Sequence, residues 1–230
     1  MGGDGLFRQI DGYCERTDFT FWSEPINAVT NAGFVVAALV ALLWWWRQAR
    51  GDGPVLVLVV LVIAIGVGSF LFHTVATVWA AIADVLPILL FIVWFLVLVV
   101  RRWFARPWWV ALLIGASYVP FASFIGGGVG DVVGDRLNGS ESYLPALGLL
   151  VVCGLWLRAL GERAAGSALL GAAALFTISL AFRTLDAPVC DAFPLGTHFV
   201  WHLLNSVLLG GLMVAMVRLG PAATSANSGP

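Results

Sequence analysis

Three histidines are the residues of this sequence with the clearest chemical potential, and the chain has no others. His73 ends one apolar stretch, whereas His198 and His202 lie four residues apart in another. Residues at that spacing share one face of a helix. Ionisable side chains inside a membrane are costly and usually serve a function. Three imidazoles with one open position form a common catalytic zinc site, so the sequence predicts zinc on His73, His198 and His202.

Two further polar residues complete a predicted hydrolytic site. Zinc lowers the pKa of a bound water from ~15.7 to ~7 and so supplies hydroxide at neutral pH. We expect Asp84 to accept the proton of that water and to pass it to the leaving amine. Ser69, one turn before His73, is expected to donate a hydrogen bond to the developing oxyanion. The alternative for Ser69 is a small residue that eases helix packing, as Gly66 and Gly68 do.

The composition is that of a polytopic membrane protein. Of the 230 residues, 60% are hydrophobic and 11% are charged, whereas soluble domains are about 25% charged. The net charge of −1 gives no reason to expect a nucleic-acid partner. All basic residues other than histidine are arginines, and the lack of lysine excludes a retinal Schiff base. A site within the membrane layer implies a lipid substrate that enters sideways.

Apolar stretches of about 20 residues, enough to cross a bilayer, predict an all-α bundle of seven transmembrane helices. We place this single hydrolase domain at 1–220 and a disordered tail at 221–230. Lipid-facing backbone must be hydrogen-bonded internally, so the spans are helices. The predicted spans are 25–46, 54–75, 79–100, 107–125, 143–161, 166–184 and 194–217. The division of the block 54–100 near residues 74–78 is the least constrained step, and the glycine-rich run 126–130 is predicted to be a flexible outer loop.

The distribution of arginines predicts the orientation. Eight arginines fall on the side away from the N-terminus and four on the N-terminal side, and cytoplasmic loops are usually the basic ones. The N-terminus is therefore predicted outside and the C-terminus in the cytoplasm. His73, Asp84, His198 and His202 all then lie near the outer side. The composition, rich in Ala, Val, Gly and Arg, is typical of a bacterial protein, which predicts an inner-membrane location with a periplasmic site.

The sequence resembles the alkaline ceramidases, within the superfamily of seven-helix membrane hydrolases that includes the adiponectin-type receptors. Three blocks carry the resemblance: Tyr13-Cys14-Glu15 with Glu24-Pro25-Ile26-Asn27, then Ser69, His73 and Asp84, then His198-x-x-x-His202. It runs from about residue 11 to residue 210. The resemblance implies hydrolysis of the ceramide amide to a sphingoid base and a fatty acid. It also implies zinc on the three histidines, with Asp84 and Ser69 in the roles given above.

The same resemblance implies a calcium ion bound just before the first span. The candidate ligands are Asp11, Glu15 and Glu24, with Asp18 and Asn27 as further oxygen donors, which suit calcium. The chain departs from the animal members here. The stretch after Cys14 is about two residues shorter, and Gly12 stands where an acidic ligand is expected. The alternative is a solvated acidic cap at a helix N-terminus.

The cysteines predict one disulfide. Cys14 and Cys190 both fall on the outer side, where an oxidising compartment favours a bridge; free thiols are the alternative.

Two other functions stay open. A receptor of the same superfamily would share the zinc site, although short loops favour an enzyme. A His/Asp-based transporter would more often show repeats or broken helices near the midplane.

Overall fold

The chain folds as a bundle of helices in the computed structural model, which describes residues 5–220. Within that range seven helical stretches are long and apolar enough to cross a membrane. The same residues contain no strand beyond one isolated bridge between Gln9 and Thr77. The predicted all-α fold with seven membrane-spanning helices is therefore confirmed, and the protein is an integral membrane protein. The predicted tail 221–230 lies outside the described residues.

The helices follow one another along the chain with short connections. They are α1 (Pro25–Thr30), α2 (Ala32–Gln48), α3 (Gly53–Val75), α4 (Val78–Leu98), α5 (Trp108–Val133), α6 (Leu144–Ala159), α7 (Arg163–Val189) and α8 (His198–Leu219). The first span consists of α1 and α2, and a π-helical turn at Val99–Trp103 extends α4. Short 3-10 turns lie at Gly5–Phe7, Gly134–Leu137 and Ser140–Tyr143.

The apolar block 54–100 divides where the sequence predicted. Ala76 adopts a left-handed backbone conformation and its N–H donates to the Phe72 carbonyl, which ends α3. The N-terminal segment, residues 5–24, contacts the same junction. The Ile10 N–H donates to the Ala76 carbonyl at 2.8 Å, and the Val78 N–H donates to the Arg8 carbonyl at 3.1 Å. This junction thereby positions the N-terminal segment over one end of the bundle.

The glycine-rich run 126–130 is helical, and the prediction of an outer loop there is wrong. α5 continues through the run to Val133. Glycine has a low helix propensity in water, but an apolar surrounding penalises unpaired backbone groups and favours a continuous helix. A Cβ at Gly126 would make an ordinary van der Waals contact, 3.5 Å from the Ser142 Cα, and the space beside Gly127 and Gly128 is open. Close helix packing therefore does not require glycine at these positions.

Glycines set the distances between helices that carry the polar residues. A Cβ on Gly68 would overlap the Ala83 carbonyl oxygen and lie 3.1 Å from the Asp84 Cα, so α3 and α4 cross in backbone contact. A Cβ on Gly33 would lie 2.7 Å from the Ser206 hydroxyl oxygen, so α2 and α8 also approach closely. Small residues permit such approach between membrane helices.

The bundle end away from the N-terminal segment is closed by an ion pair and by tryptophans. Arg102 donates to both carboxylate oxygens of Asp52, at 2.7 and 2.5 Å. The Trp45 indole N–H donates to the Asp52 carbonyl at 2.9 Å. The guanidinium carbons of Arg50 and Arg218 lie 3.9 and 4.9 Å from tryptophan ring centroids. Such aromatic and basic side chains are typical of a membrane boundary.

Candidate metal centre

The three histidines converge at the bundle end that carries the N-terminal segment. One ring nitrogen from each of His73, His198 and His202 lies within 4.8 Å of the others. Their relative exposures are 1%, 2% and 2%, so the cluster is excluded from bulk solvent. α8 contributes two rings one helical turn apart, and the end of α3 contributes the third. Two distant stretches of sequence thus supply one group of ligands.

The His73 ring is oriented by a buried carboxylate. Its Nδ1 lies 2.6 Å from Glu24 Oε2, and since a carboxylate accepts, Nδ1 carries the hydrogen. The other ring nitrogen, Nε2, is buried and has no hydrogen-bond partner. A histidine that donates one N–H to a carboxylate and presents the other nitrogen is the usual arrangement of a metal ligand.

The other two rings also present nitrogens that are available for coordination. His202 Nδ1 lies 3.0 Å from the Thr30 hydroxyl oxygen. The single hydrogen of that hydroxyl is shared between the Ile26 and Asn27 carbonyls, so the hydroxyl accepts from His202, and the His202 Nε2 keeps its lone pair. The Nδ1 of His198 is buried without a hydrogen-bond partner. Buried polar atoms without partners are rare in native proteins, and a divalent metal ion among the three rings would satisfy them.

Asp84 and Ser69 lie beside two of the histidines. Both line one small polar cavity with His198 and His202. The close crossing at Gly68 brings this part of α3 against α4, next to Asp84. Asp84 and Ser69 therefore border the same space as two of the three imidazoles.

Three residues of this cavity are not among the predicted site residues. Tyr13, Tyr143 and Arg183 also line it. The Tyr13 ring stacks on His198 at a centroid distance of 3.7 Å, and burial raises the pKa of Tyr13, which keeps the phenol protonated. Tyr13 belongs to the first motif of the resemblance, so its presence had a sequence signal. Tyr143 and Arg183 lie outside the three sequence motifs, and only the fold brings them to this cavity.

An apolar cavity adjoins the polar one. Five residues line both: Phe34, Ile65, Ile88, Tyr143 and Trp201. From this boundary the apolar lining continues along α4 to Val99 and along α8 to Leu212. Each of these stretches corresponds to about 16 Å of helix length. The space can accommodate a hydrocarbon chain that starts at the histidines and runs toward the opposite end of the bundle.

A disulfide and a buried carboxylate hold the N-terminal segment on this site. The predicted bond between Cys14 and Cys190 is present. Asp186, fully buried, accepts hydrogen bonds from the N–H groups of Cys14, Thr197 and His198 at 3.1, 2.6 and 2.9 Å. It therefore caps the start of α8 and fixes the helix that carries two of the three imidazoles.

The residues predicted to bind calcium differ in their burial. Glu15 and Glu24 are buried, whereas Asp11 and Asp18 are exposed. Within residues 5–220 Asp11, Glu15 and Glu24 do not form a cluster of the kind that the histidines form. Two hydrogen bonds from Thr20 lower the pKa of Asp18. Calcium at this segment stays a prediction.

A family model described as Ceramidase matches residues 10–130, which is more than half of the chain. The protein belongs to the ceramidase family. The ceramidase match covers Ser69, His73 and Asp84 but ends before α8, so the fold itself brings His198 and His202 to the matched region. A comparison with curated proteins finds no match. Ceramidase membership indicates an amide hydrolase with a lipid substrate.

Proposed function

We propose that the protein is a zinc-dependent intramembrane amidase that cleaves ceramide or a related N-acyl lipid. The observation that carries the proposal is the convergence of His73, His198 and His202 in a chain of the ceramidase family, with a buried unpartnered ring nitrogen on each of His73 and His198. Three neutral imidazoles suit a catalytic zinc, which keeps a fourth position for water. When bound, zinc supplies Lewis acidity and lowers the pKa of that water.

Side chains of the protein would carry out the proton transfers and stabilise the developing oxyanion. The Asp84 carboxylate accepts a proton from the attacking water as the new C–O bond forms. It returns that proton to the amine nitrogen when the C–N bond breaks, so one water is consumed and no proton is lost. The Ser69 hydroxyl donates a hydrogen bond to the carbonyl oxygen as charge develops there. The products are a free fatty acid and an amine, which is a sphingoid base if the substrate is ceramide.

The adjoining apolar cavity supports a lipid substrate with its acyl chain inside the bundle. The amide would lie at the boundary between the two cavities, where Ile88, Tyr143 and Trp201 line both. Burying a methylene group of the substrate stabilises the complex by about 0.8 kcal/mol. This burial would hold the acyl chain while the polar groups act on the amide.

Metal analysis combined with an assay on N-acyl lipids tests the function. We expect one zinc per chain in the purified protein and release of fatty acid from ceramide or another N-acyl lipid. Asp84→Asn should retain zinc and lose at least 10²-fold in turnover, in the range that a general acid–base contributes. Asp131→Asn, on an exposed position of α5, is the matched control and should leave turnover unchanged.

The alternatives give different results in the same experiment. A receptor of the same superfamily would hold zinc without hydrolysing any lipid of the panel. A His/Asp-based transporter would hold no stoichiometric zinc. Undiminished hydrolysis by Asp84→Asn would remove Asp84 from the mechanism.

We also propose that the N-terminal end of the bundle faces the outside of a bacterial inner membrane. Eight of the twelve arginines fall on the opposite side, and the Cys14–Cys190 disulfide is of the kind that forms in oxidising compartments. Asp135 lies at the N-terminal end and Glu162 at the opposite end, both exposed. Both substitutions are made in a variant whose free cysteine, Cys153, is replaced, and the proteins are expressed in intact bacteria. A membrane-impermeant maleimide should then label Asp135→Cys and not Glu162→Cys. The reverse labelling would invert the orientation.

A further inference from the structure

Arg16 is a buried cation in the middle of the acidic N-terminal segment. Its relative exposure is 6%. The guanidinium donates from Nε to Glu24 Oε1 at 2.5 Å, from Nη1 to the Asp18 carbonyl at 3.0 Å and from Nη2 to the His73 carbonyl at 3.0 Å. One side chain thus joins the segment to the carboxylate that orients His73 and to the end of α3.

Protein donors already occupy both oxygens of Glu24. Oε1 accepts from Arg16, and Oε2 accepts from His73 Nδ1 at 2.6 Å and from the Asn27 amide at 3.0 Å. The Arg16 guanidinium and the other two donors therefore compensate the carboxylate within the protein.

Glu15 is compensated by a helix terminus instead. Its two oxygens accept from the N–H groups of Ile26 and Asn27, at 2.7 and 2.8 Å. These N–H groups belong to the first turn of α1, where backbone donors lack partners within the helix and the helix dipole favours an anion. Both buried carboxylates of the segment therefore have partners that a cation would have to displace.

These contacts do not suit a calcium ion. Calcium takes 6–8 oxygen ligands at about 2.3–2.6 Å. At Glu24 the position of such an ion is taken by a guanidinium, and Glu15 would have to leave the start of α1. Gly12, where the family pattern expects an acidic ligand, offers no side-chain oxygen.

We propose that Arg16 is the resident cation of this segment: its guanidinium takes the place of the expected calcium ion, holds Glu24 against His73, and makes the protein independent of calcium. A guanidinium can replace an ion here because it offers several N–H donors in a planar fork and stays protonated. Calcium independence follows from these contacts alone. The effect on the metal held by His73 rests also on the function proposed above.

The first test uses the wild-type protein, purified in buffers stripped of divalent ions with a chelating resin. Calcium chloride is then added to about 1 mM, the weak end of the range for extracellular calcium sites. We expect calcium contents well below one ion per chain and an unchanged unfolding temperature. One bound calcium per chain, or an unfolding temperature that rises with calcium, would overturn the proposal. Zinc content is measured on the same samples, so failure of the zinc site is recorded separately.

The second test removes the guanidinium. Arg16→Ala should lower the zinc affinity by about 10- to 100-fold, as loss of a group that orients a metal ligand does. Methylguanidinium should restore zinc binding in this variant, whereas methylammonium should not. Arg8→Gln, which changes an exposed arginine of the same segment, is the control and should bind zinc like the wild type. Wild-type zinc affinity in Arg16→Ala would refute the positioning role, and if that variant does not fold, Arg16→Lys replaces it.

Discussion

Glu24 is the residue on which the geometry of the candidate metal centre most depends. It links a ligand histidine to the N-terminal segment, and its carboxylate determines which His73 nitrogen keeps a lone pair. A neutral amide in its place would accept the hydrogen bond more weakly and could instead turn its NH₂ group toward the ring. The orientation of His73 should then become less defined.

Glu24→Gln should therefore lower zinc affinity by about 10- to 100-fold, as loss of a partner of a metal-bound histidine typically does. The measurement is a zinc competition titration with a chromophoric chelator. Glu162→Gln, exposed at the other end of the bundle, is the matched control. Equal affinities for Glu24→Gln and the wild type would show that the bond between Glu24 and His73 does not position the ligand.

At the scale of helices, the crossing of α3 and α4 brings the candidate ligand His73 close to the proposed base Asp84. The crossing is in backbone contact at Gly68, one residue before Ser69. Any side chain at this position must separate the two helices. A separation would both loosen the packing and change the distance between Asp84 and the imidazoles.

Gly68→Ala should cost about 1–3 kcal/mol of stability, the usual cost of overpacking a well-packed contact, and should reduce turnover. Gly127→Ala is the matched control, because a Cβ at this helical glycine meets nothing within 4 Å. Alanine is the better helix former by about 1 kcal/mol, so this control should be as stable as the wild type or more stable. Thermal unfolding in detergent, with turnover on the same samples, compares them. An unaffected Gly68→Ala would mean that the helices are free to move apart.

At the scale of the whole molecule, the length of the apolar cavity is expected to limit the length of the acyl chain that the bundle can accept. Its lining residues come from α2, α3, α4, α6, α7 and α8, and Leu212 lies in the part of α8 that is distant from the histidines. A bulky side chain there would shorten the space available to a hydrocarbon chain. Groups near the amide would stay as they are.

Leu212→Trp should lower kcat/KM for long-chain N-acyl lipids by at least tenfold and leave short-chain substrates nearly unaffected. Leu203→Trp is the control, since Leu203 lies on the same helix, is largely exposed and does not line the cavity. The assay compares released fatty acid across a series of acyl lengths. A uniform loss at every length would place the acyl chain elsewhere.

The amino-acid sequence by itself determined the membrane-spanning helices and marked out the residues for which chemical roles are proposed. Long apolar stretches allow only helices in lipid, and rare polar residues stand out against them, as His73 and Asp84 do. The predicted loop at 126–130 is wrong because the low helix propensity that glycine has in water does not apply in an apolar surrounding. Span ends also moved: the sixth was predicted to end at residue 184, whereas α7 reaches Val189.

Only the tertiary structure decided which groups surround the histidines. Glu24, Thr30 and Asp186 are distant in sequence from the residues that they orient, and no periodicity predicts those pairs. The same holds for Arg16, whose type gives no indication that it contacts a buried carboxylate rather than water. Which polar side chains pair depends on how the helices cross and on which polar atoms are left without partners. Both properties arise only when the whole bundle is packed.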